Sequence, residues 1–239
     1  GGSTKQGRNR YFQAVLPLRG KVLNTIVSSS KKIVENKELS NILSALGCGT
    51  GDSFNLNKLR YEKVIILTDA DADGMHIATL LLAFFFTSMR PLIENGCLYL
   101  GKPPLYGVFG TNRTKKQKSA AREAKTEKTN NAQRRKAKEP AKKDDAPSAL
   151  WAYSDAELAK LIREHGANPS RVVRYKGLGE MNPETLWETT LDPKRRTLLC
   201  VSMDDEAAVS DAFGTLMGSD PSTRYQLICE NAEGLELDI

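Results

Sequence analysis

The chain has 239 residues, 40% hydrophobic and 27% charged, with a formal net charge of +6. That length holds one large or two small domains with a real core. Its four cysteines lack C-x-x-C spacing, which speaks against a zinc site and a disulfide framework. The longest apolar run, Ile77 to Phe86, is broken by Thr79 and is too short for a bilayer. No signal peptide is visible, so the reading is a soluble, cytoplasmic chain with no membrane partner. The charge is unevenly spread. Between Arg113 and Lys143 thirteen Lys and Arg face three Glu, a local charge of +10. The other 22 basic and 26 acidic residues leave −4.

In chain order, Tyr11 to Leu16 predicts a strand. Pro17-Leu18-Arg19-Gly20-Lys21 then sets Arg and Lys astride a Gly, which suits a phosphate because Gly lets a backbone come close. Surface charge is the plainer alternative for Arg19 and Lys21. Ser28 to Leu46 predicts a helix, capped by Ser29 or Ser30, with Ile33, Leu39, Ile42, Leu43 and Leu46 on its buried face. Gly47-Cys48-Gly49-Thr50-Gly51 ends it as a turn; it follows a helix and has no Gly-Lys-Ser/Thr, so it is no nucleotide loop. No ATP site is visible. A strand is predicted within Leu59 to Leu67, then an acidic stretch, then a helix over Met75 to Met89 that Pro91 ends. Cys97 to Leu100 predicts another strand, closed stiffly by Pro103-Pro104.

From Thr111 to Ser148 the chain is rich in Lys, Arg, Ala and Gln and cannot bury a core. It reads as a disordered insertion, either merely solvated or adding salt-sensitive affinity for nucleic acid. Order is expected again at Trp151. Helices are predicted from Ser154 to Glu164, Pro183 to Thr189, Asp205 to Leu216 and Ser222 to Asn231, with strands at Val172-Val173 and Leu198 to Val201. Between them, Arg174 to Met181 holds two glycines among Arg, Lys and Glu, again suited to phosphate, with Lys176 the candidate contact.

The acidic stretch Asp69-Ala70-Asp71-Ala72-Asp73-Gly74 directly follows the apolar run Val64 to Leu67. It therefore stands at the carboxyl end of a strand, where α/β proteins keep their ligands. Residues two apart in an extended segment share a face, so Asp69, Asp71 and Asp73 are expected to converge. Three converging carboxylates repel unless a cation lies between them, and hard oxygen donors without Cys or His suit Mg²⁺ or Mn²⁺. The rival is a calcium loop. It needs a Glu at position twelve and a preceding helix; counted from Asp69, position twelve is Leu80, and a strand precedes. His76, one turn into the helix, is a phosphate candidate, with a packed helix residue as the alternative.

Taken together, Pro-Leu-Arg-Gly-Lys (17–21), the acids with His76, Pro-Pro-Leu-Tyr (103–106) and Tyr-Lys-Gly-Leu-Gly-Glu-Met (175–181) stand in the order seen in bacterial type IIA topoisomerases. The chain resembles the C-terminal half of their B subunit, including the tail motifs Leu186 to Thr190 and Asp192-Pro193. Lys21 to Thr25 and His76 to Thr79 are more similar to topoisomerase IV, gyrase usually having Arg where Ala78 stands. Gly47-Cys48-Gly49 and Leu216-Met217-Gly218 occur readily in gyrase. The balance favours topoisomerase IV.

The resemblance implies an α/β fold: a TOPRIM domain over residues 1–110 with a Rossmann-like parallel sheet flanked by helices, the basic insertion over 111–150, and a smaller α+β tail over 151–239. It implies Mg²⁺-dependent DNA cleavage and religation, with Asp69 and Asp71 as metal ligands, Asp73 as a supporting or second-metal partner, and Arg19, Lys21, His76 and Lys176 toward DNA phosphates. Implied partners are double-stranded DNA, the topoisomerase A subunit that carries the nucleophilic tyrosine, and a second copy of the B subunit, in a heterotetramer. In the family, Gly-Gly-Ser follows a Glu-Gly-Asp-Ser-Ala motif. Its catalytic Glu, and the region binding ATP, are therefore expected upstream of Gly1, leaving this segment without a catalytic residue of its own. None of the seven tyrosines has an adjacent base. Two other readings are a DNA-binding assembly module without chemistry, and a different TOPRIM enzyme such as a primase or nuclease, which the 175–181 motif and the tail disfavour.

Overall fold

The structure, a computed structural model, describes residues 2–109, 149–165 and 171–232. The basic tract lies outside the described residues. The chain forms two compact units: Gly1–Pro103 with Gly177–Ile239, and Pro104–Lys176. The expected boundaries were at 110 and 150; by contacts the chain divides after Pro103 and after Lys176.

The first unit starts with α1 (Gly2–Gly7), α2 (Ser30–Glu35), α3 (Lys37–Leu46), β1 (Val64–Ile66), α4 (Ala72–Ser88), α5 (Pro91–Glu94) and β2 (Leu98–Lys102). The second holds β3 (Tyr106–Val108), β4 (Leu150–Ala152), α6 (Asp155–His165) and β5 (Val172–Arg174). The chain then returns to the first with α7 (Pro183–Leu186), β6 (Thr197–Cys200), α8 (Glu206–Met217) and α9 (Pro221–Asn231).

The first unit is α/β, but its sheet is mixed. In the order β1-β2-β6, β1 runs parallel to β2, with Val64 opposite Leu98. The tail strand β6 runs antiparallel to β2, with Tyr99 opposite Cys200. The expected parallel pairing is present between β1 and β2, and the tail adds an antiparallel strand on the free side of β2. The core beside this sheet is built on α4, which buries Leu80, Leu81, Ala83, Phe84, Phe85 and Phe86. Leu39, Ile42 and Leu46 of α3, Ile66 of β1 and Leu98 of β2 join them. A helix apolar nearly all round has no face to give to water, so it belongs in an interior. The tail docks through Phe213 of α8, 5.4 Å from Phe86 by ring centroids, and through Glu206, 2.5 Å from Arg90.

Three local expectations fail for identifiable reasons. Tyr11 to Leu16 is no strand: Tyr11 is 99% exposed. Asn9 takes the Tyr11 amide on its side chain and the Gln13 amide on its carbonyl, a turn that competes with strand pairing. The helix from Ser28 to Leu46 is two helices. Asn36 has ψ 118, outside helical space, and its side chain accepts the Leu39 amide at 3.1 Å, capping α3. The helix after the acids starts at Ala72, not Met75, and Pro91 opens α5 in its first turn. Beyond α7, Trp187–Leu191 continues as a wider π-type turn. The turn at Gly47 forms as expected, with φ 72 and its amide on the Leu43 carbonyl.

The second unit is an antiparallel sheet in the order β4-β3-β5. Phe109, Trp151 and Tyr175 line up on it, with centroids 6.0 and 6.2 Å apart. α6 is capped by Ser154, which accepts the Glu157 amide at 3.2 Å, while Glu157 accepts the Tyr153 amide at 2.7 Å.

Candidate metal-binding site

β1 ends at Ile66, and the chain turns into α4 through Asp69 and Asp71. This elbow is tight. A Cβ on the buried Gly74 would lie 2.1 Å from the Asp69 carbonyl oxygen, so only glycine fits there. Asp71 is the N-cap of α4: its Oδ1 accepts the Gly74 amide at 2.7 Å.

Because α4 begins at Ala72, the alternation that was to bring three acids together stops at Asp71. Asp73 lies in the first helical turn, and its Oδ1 is 2.7 Å from Lys21 Nζ. Asp69 turns elsewhere: its Oδ1 accepts the Leu178 amide at 2.7 Å, across 109 positions of chain. The three carboxylates therefore have three different partners. Among the described residues no group of three or more His, Cys, Asp and Glu could hold a metal ion. The expected convergence on one point is corrected accordingly.

Lys21 also sets the acidity of Asp73. Its hydrogen bond, then its charge, hold the Asp73 carboxyl below the ordinary carboxylate range, with a smaller contribution from the charge of His76. Lys21 and Asp73 thus form an ion pair at the start of α4. Arg19 is exposed in the same loop as Lys21. Lys176 is exposed in the second unit.

The donor chemistry can be tested against a hard cation. Asp69, Asp71 and Asp73 are all exposed and offer only oxygen. Asp69 and Asp71 each use Oδ1 for a backbone amide, and among the described residues Oδ2 of neither takes a hydrogen bond. Mg²⁺ is commonly held by one or two carboxylates, keeping several waters. Two free carboxylate oxygens fit that habit; a closed cage of three does not form. Asp73 is already matched by Lys21.

Reading the sequence alone missed Leu178 and Gly177 as neighbours of Asp69. The only signal was the spacing of two glycines, read there as a phosphate loop. A Cβ on Gly177 would lie 3.0 Å from Asp69 Cγ and 3.1 and 3.2 Å from its two oxygens.

Residues 1–101 match the Toprim domain family, and residues 168–229 match the family described as DNA gyrase B subunit, carboxyl terminus. The B subunit of DNA gyrase from Halalkalibacterium halodurans is 44% identical over 242 residues, covering 100% of this chain and 32% of the relative. That of Spiroplasma citri is 44% identical, covering 98% of this chain and 31% of its own length. That of Thermotoga maritima is 43% identical, covering 100% and 32%. The chain spans about a third of the length of these relatives. All three are named as gyrase subunits, which lends no support to the preference for topoisomerase IV. The chain therefore pairs a Toprim-like segment with a gyrase-B-like carboxyl-terminal segment, and it is similar to the C-terminal region of a type IIA topoisomerase B subunit.

Proposed function

We propose that this region is the Mg²⁺-dependent half-site for DNA cleavage and religation in a type IIA topoisomerase. The observation that carries the reading is the exposed pair Asp69 and Asp71 at the carboxyl end of β1, each with one oxygen engaged by a backbone amide and the other without a hydrogen bond among the described residues. A divalent cation bound there would supply charge for a non-bridging phosphate oxygen and for the leaving 3′-oxygen. Asp69 and Asp71 hold and orient; Asp73 keeps Lys21 at the mouth of the site; Arg19, Lys21, His76 and Lys176 face DNA phosphates. The nucleophilic tyrosine belongs to the A subunit, and two copies of each chain make the working heterotetramer. Such an assembly works on double-stranded DNA in the cytoplasm.

Between subtypes, the names of the relatives support gyrase, against the likeness of Lys21 to Thr25 and His76 to Thr79 to topoisomerase IV. The test uses the full-length tetramer of A and B subunits, with negative supercoiling, decatenation and DNA cleavage as readouts. Asp69→Asn with Asp71→Asn is expected to abolish cleavage while leaving the tetramer assembled. Intact cleavage in that double variant would place the metal site elsewhere. Decatenation without supercoiling would restore the topoisomerase IV reading.

A further inference from the structure

Among the described residues, Gly177 and Leu178 of the tail meet Asp69, the carboxylate that the proposed function needs most. We infer that Gly177 and Leu178 are positioning residues for Asp69: the Leu178 amide holds one carboxylate oxygen, so that the other is presented to a divalent cation. The inference rests on the metal-site reading above and adds to it a requirement from a remote segment.

Three observations carry it. The Leu178 amide lies 2.7 Å from Asp69 Oδ1, and Asp69 has no other hydrogen bond to its side chain among the described residues. An exposed aspartate otherwise samples several rotamers, so a single short bond to a fixed amide selects an orientation. Next, Gly177 is glycine for space and not for conformation. Its φ of −149 and ψ of 159 are open to any residue, yet a Cβ there would crowd the Asp69 carboxylate at 3.0 to 3.2 Å. The backbone has been brought against this side chain. Finally, the turn that carries the amide is itself anchored. Leu178–Glu180 touches α1, and Gly7 of α1 sits so close to Pro183 that a Cβ would be 2.5 Å from its carbonyl oxygen. Gly74 in turn packs directly against the Asp69 backbone. The carboxylate is therefore gripped between two rigid pieces of one unit, as partners that orient metal ligands are.

A bond that merely stapled the tail would affect folding but not cation affinity, and that difference gives the test. In the full-length tetramer of A and B subunits on DNA, Mn²⁺ binding is measured by electron paramagnetic resonance, beside the melting temperature. Leu178→Pro replaces the amide hydrogen with the ring Cδ, so the Asp69 oxygen loses its donor and is pushed from its place, and the Leu side chain is lost as well. Gly177 already has the extended backbone that a following proline demands, and the first position of a helical turn accepts proline. Leu178→Ala removes the side chain and keeps the amide. Leu178→Pro is expected to weaken Mn²⁺ binding about tenfold, toward Asp69→Asn, with Leu178→Ala close to wild type. Wild-type Mn²⁺ affinity in Leu178→Pro, with Asp69→Asn impaired, overturns the inference and leaves the metal site standing. Unchanged affinity in Asp69→Asn overturns the metal site, and the inference with it. If Leu178→Pro does not fold, Gly177→Ala is judged by the same criterion, since its Cβ displaces the Asp69 carboxylate.

Discussion

Lys21 Nζ stands 2.7 Å from Asp73 Oδ1, so a residue suited to DNA phosphate spends its charge on a residue suited to a metal ion. The pairing makes a direct prediction. In wild type the Asp73 side-chain carboxyl, followed by carbon NMR, titrates below the ordinary aspartate range; in Lys21→Met it moves back up. The sign for stability follows. A depressed folded value means the pair's contribution is fully present above the unfolded pKa of about 3.9 and is lost as pH falls through the lowered folded value. Both groups are exposed, so added salt should shrink the effect. An Asp73 titration unaltered in Lys21→Met would remove Lys21 as its cause.

Gly74 and Gly179 look alike in the sequence and should behave oppositely. A Cβ at Gly74 meets Asp69 backbone atoms at 2.1, 2.9 and 3.0 Å, none of which can swing away as a side-chain end could. A Cβ at Gly179 meets nothing within 4 Å. Gly74→Ala is expected to destabilise by about 3 kcal/mol, the upper end of ordinary overpacking. Gly179→Ala should stay within about 0.5 kcal/mol, as surface changes do. Urea unfolding of the two variants reads the difference. Equal midpoints would mean that the elbow relaxes freely.

The contrast between those glycines also shows what could be read in advance. Local features were legible. Val64 to Leu67 announced a strand, which forms at Val64–Ile66 with only Ile66 fully buried, the apolar run after it announced α4, and Asp205 and Asp220 each cap the helix expected beside them. What failed depends on partners far along the chain or on a boundary a few residues wide. Nothing near Thr197–Cys200 states that it pairs with Leu98–Lys102, nor does Leu178 declare Asp69. The convergence of the three acids assumed an extended chain through Asp73, and a helix starting at Ala72 was enough to undo it. Tyr11 to Leu16 had a strand's composition, but Asn9 offered its backbone closer partners.

Asn36 joins two helices that the sequence wrote as one, so its side chain should matter more than its exposure suggests. Asn36→Ala removes the acceptor for the Leu39 amide and should cost about 1 kcal/mol. Asn36→Asp keeps the acceptor and places negative charge at the start of α3, so it should match wild type or exceed it slightly. Thermal unfolding monitored by circular dichroism distinguishes them. An alanine variant as stable as wild type would show that the buried face of α3 alone fixes the break.

The four free cysteines offer a probe of the first unit from inside. Cys48 is 1% exposed within the core that includes Leu46 and Phe84, whereas Cys200 and Cys229 are exposed. Two effects slow its modification. A reagent cannot reach it without opening the core, and burial raises its thiol pKa, leaving less reactive thiolate at neutral pH. Cys200 and Cys229 should therefore be alkylated first, half-buried Cys97 next, and Cys48 only when the core opens. As urea is raised, Cys48 labelling should follow the unfolding of α4 and its neighbours, because access requires separating them. Prompt labelling of Cys48 in native buffer, at the rate of Cys200, would mean that the core around α4 opens far more readily than its burial implies.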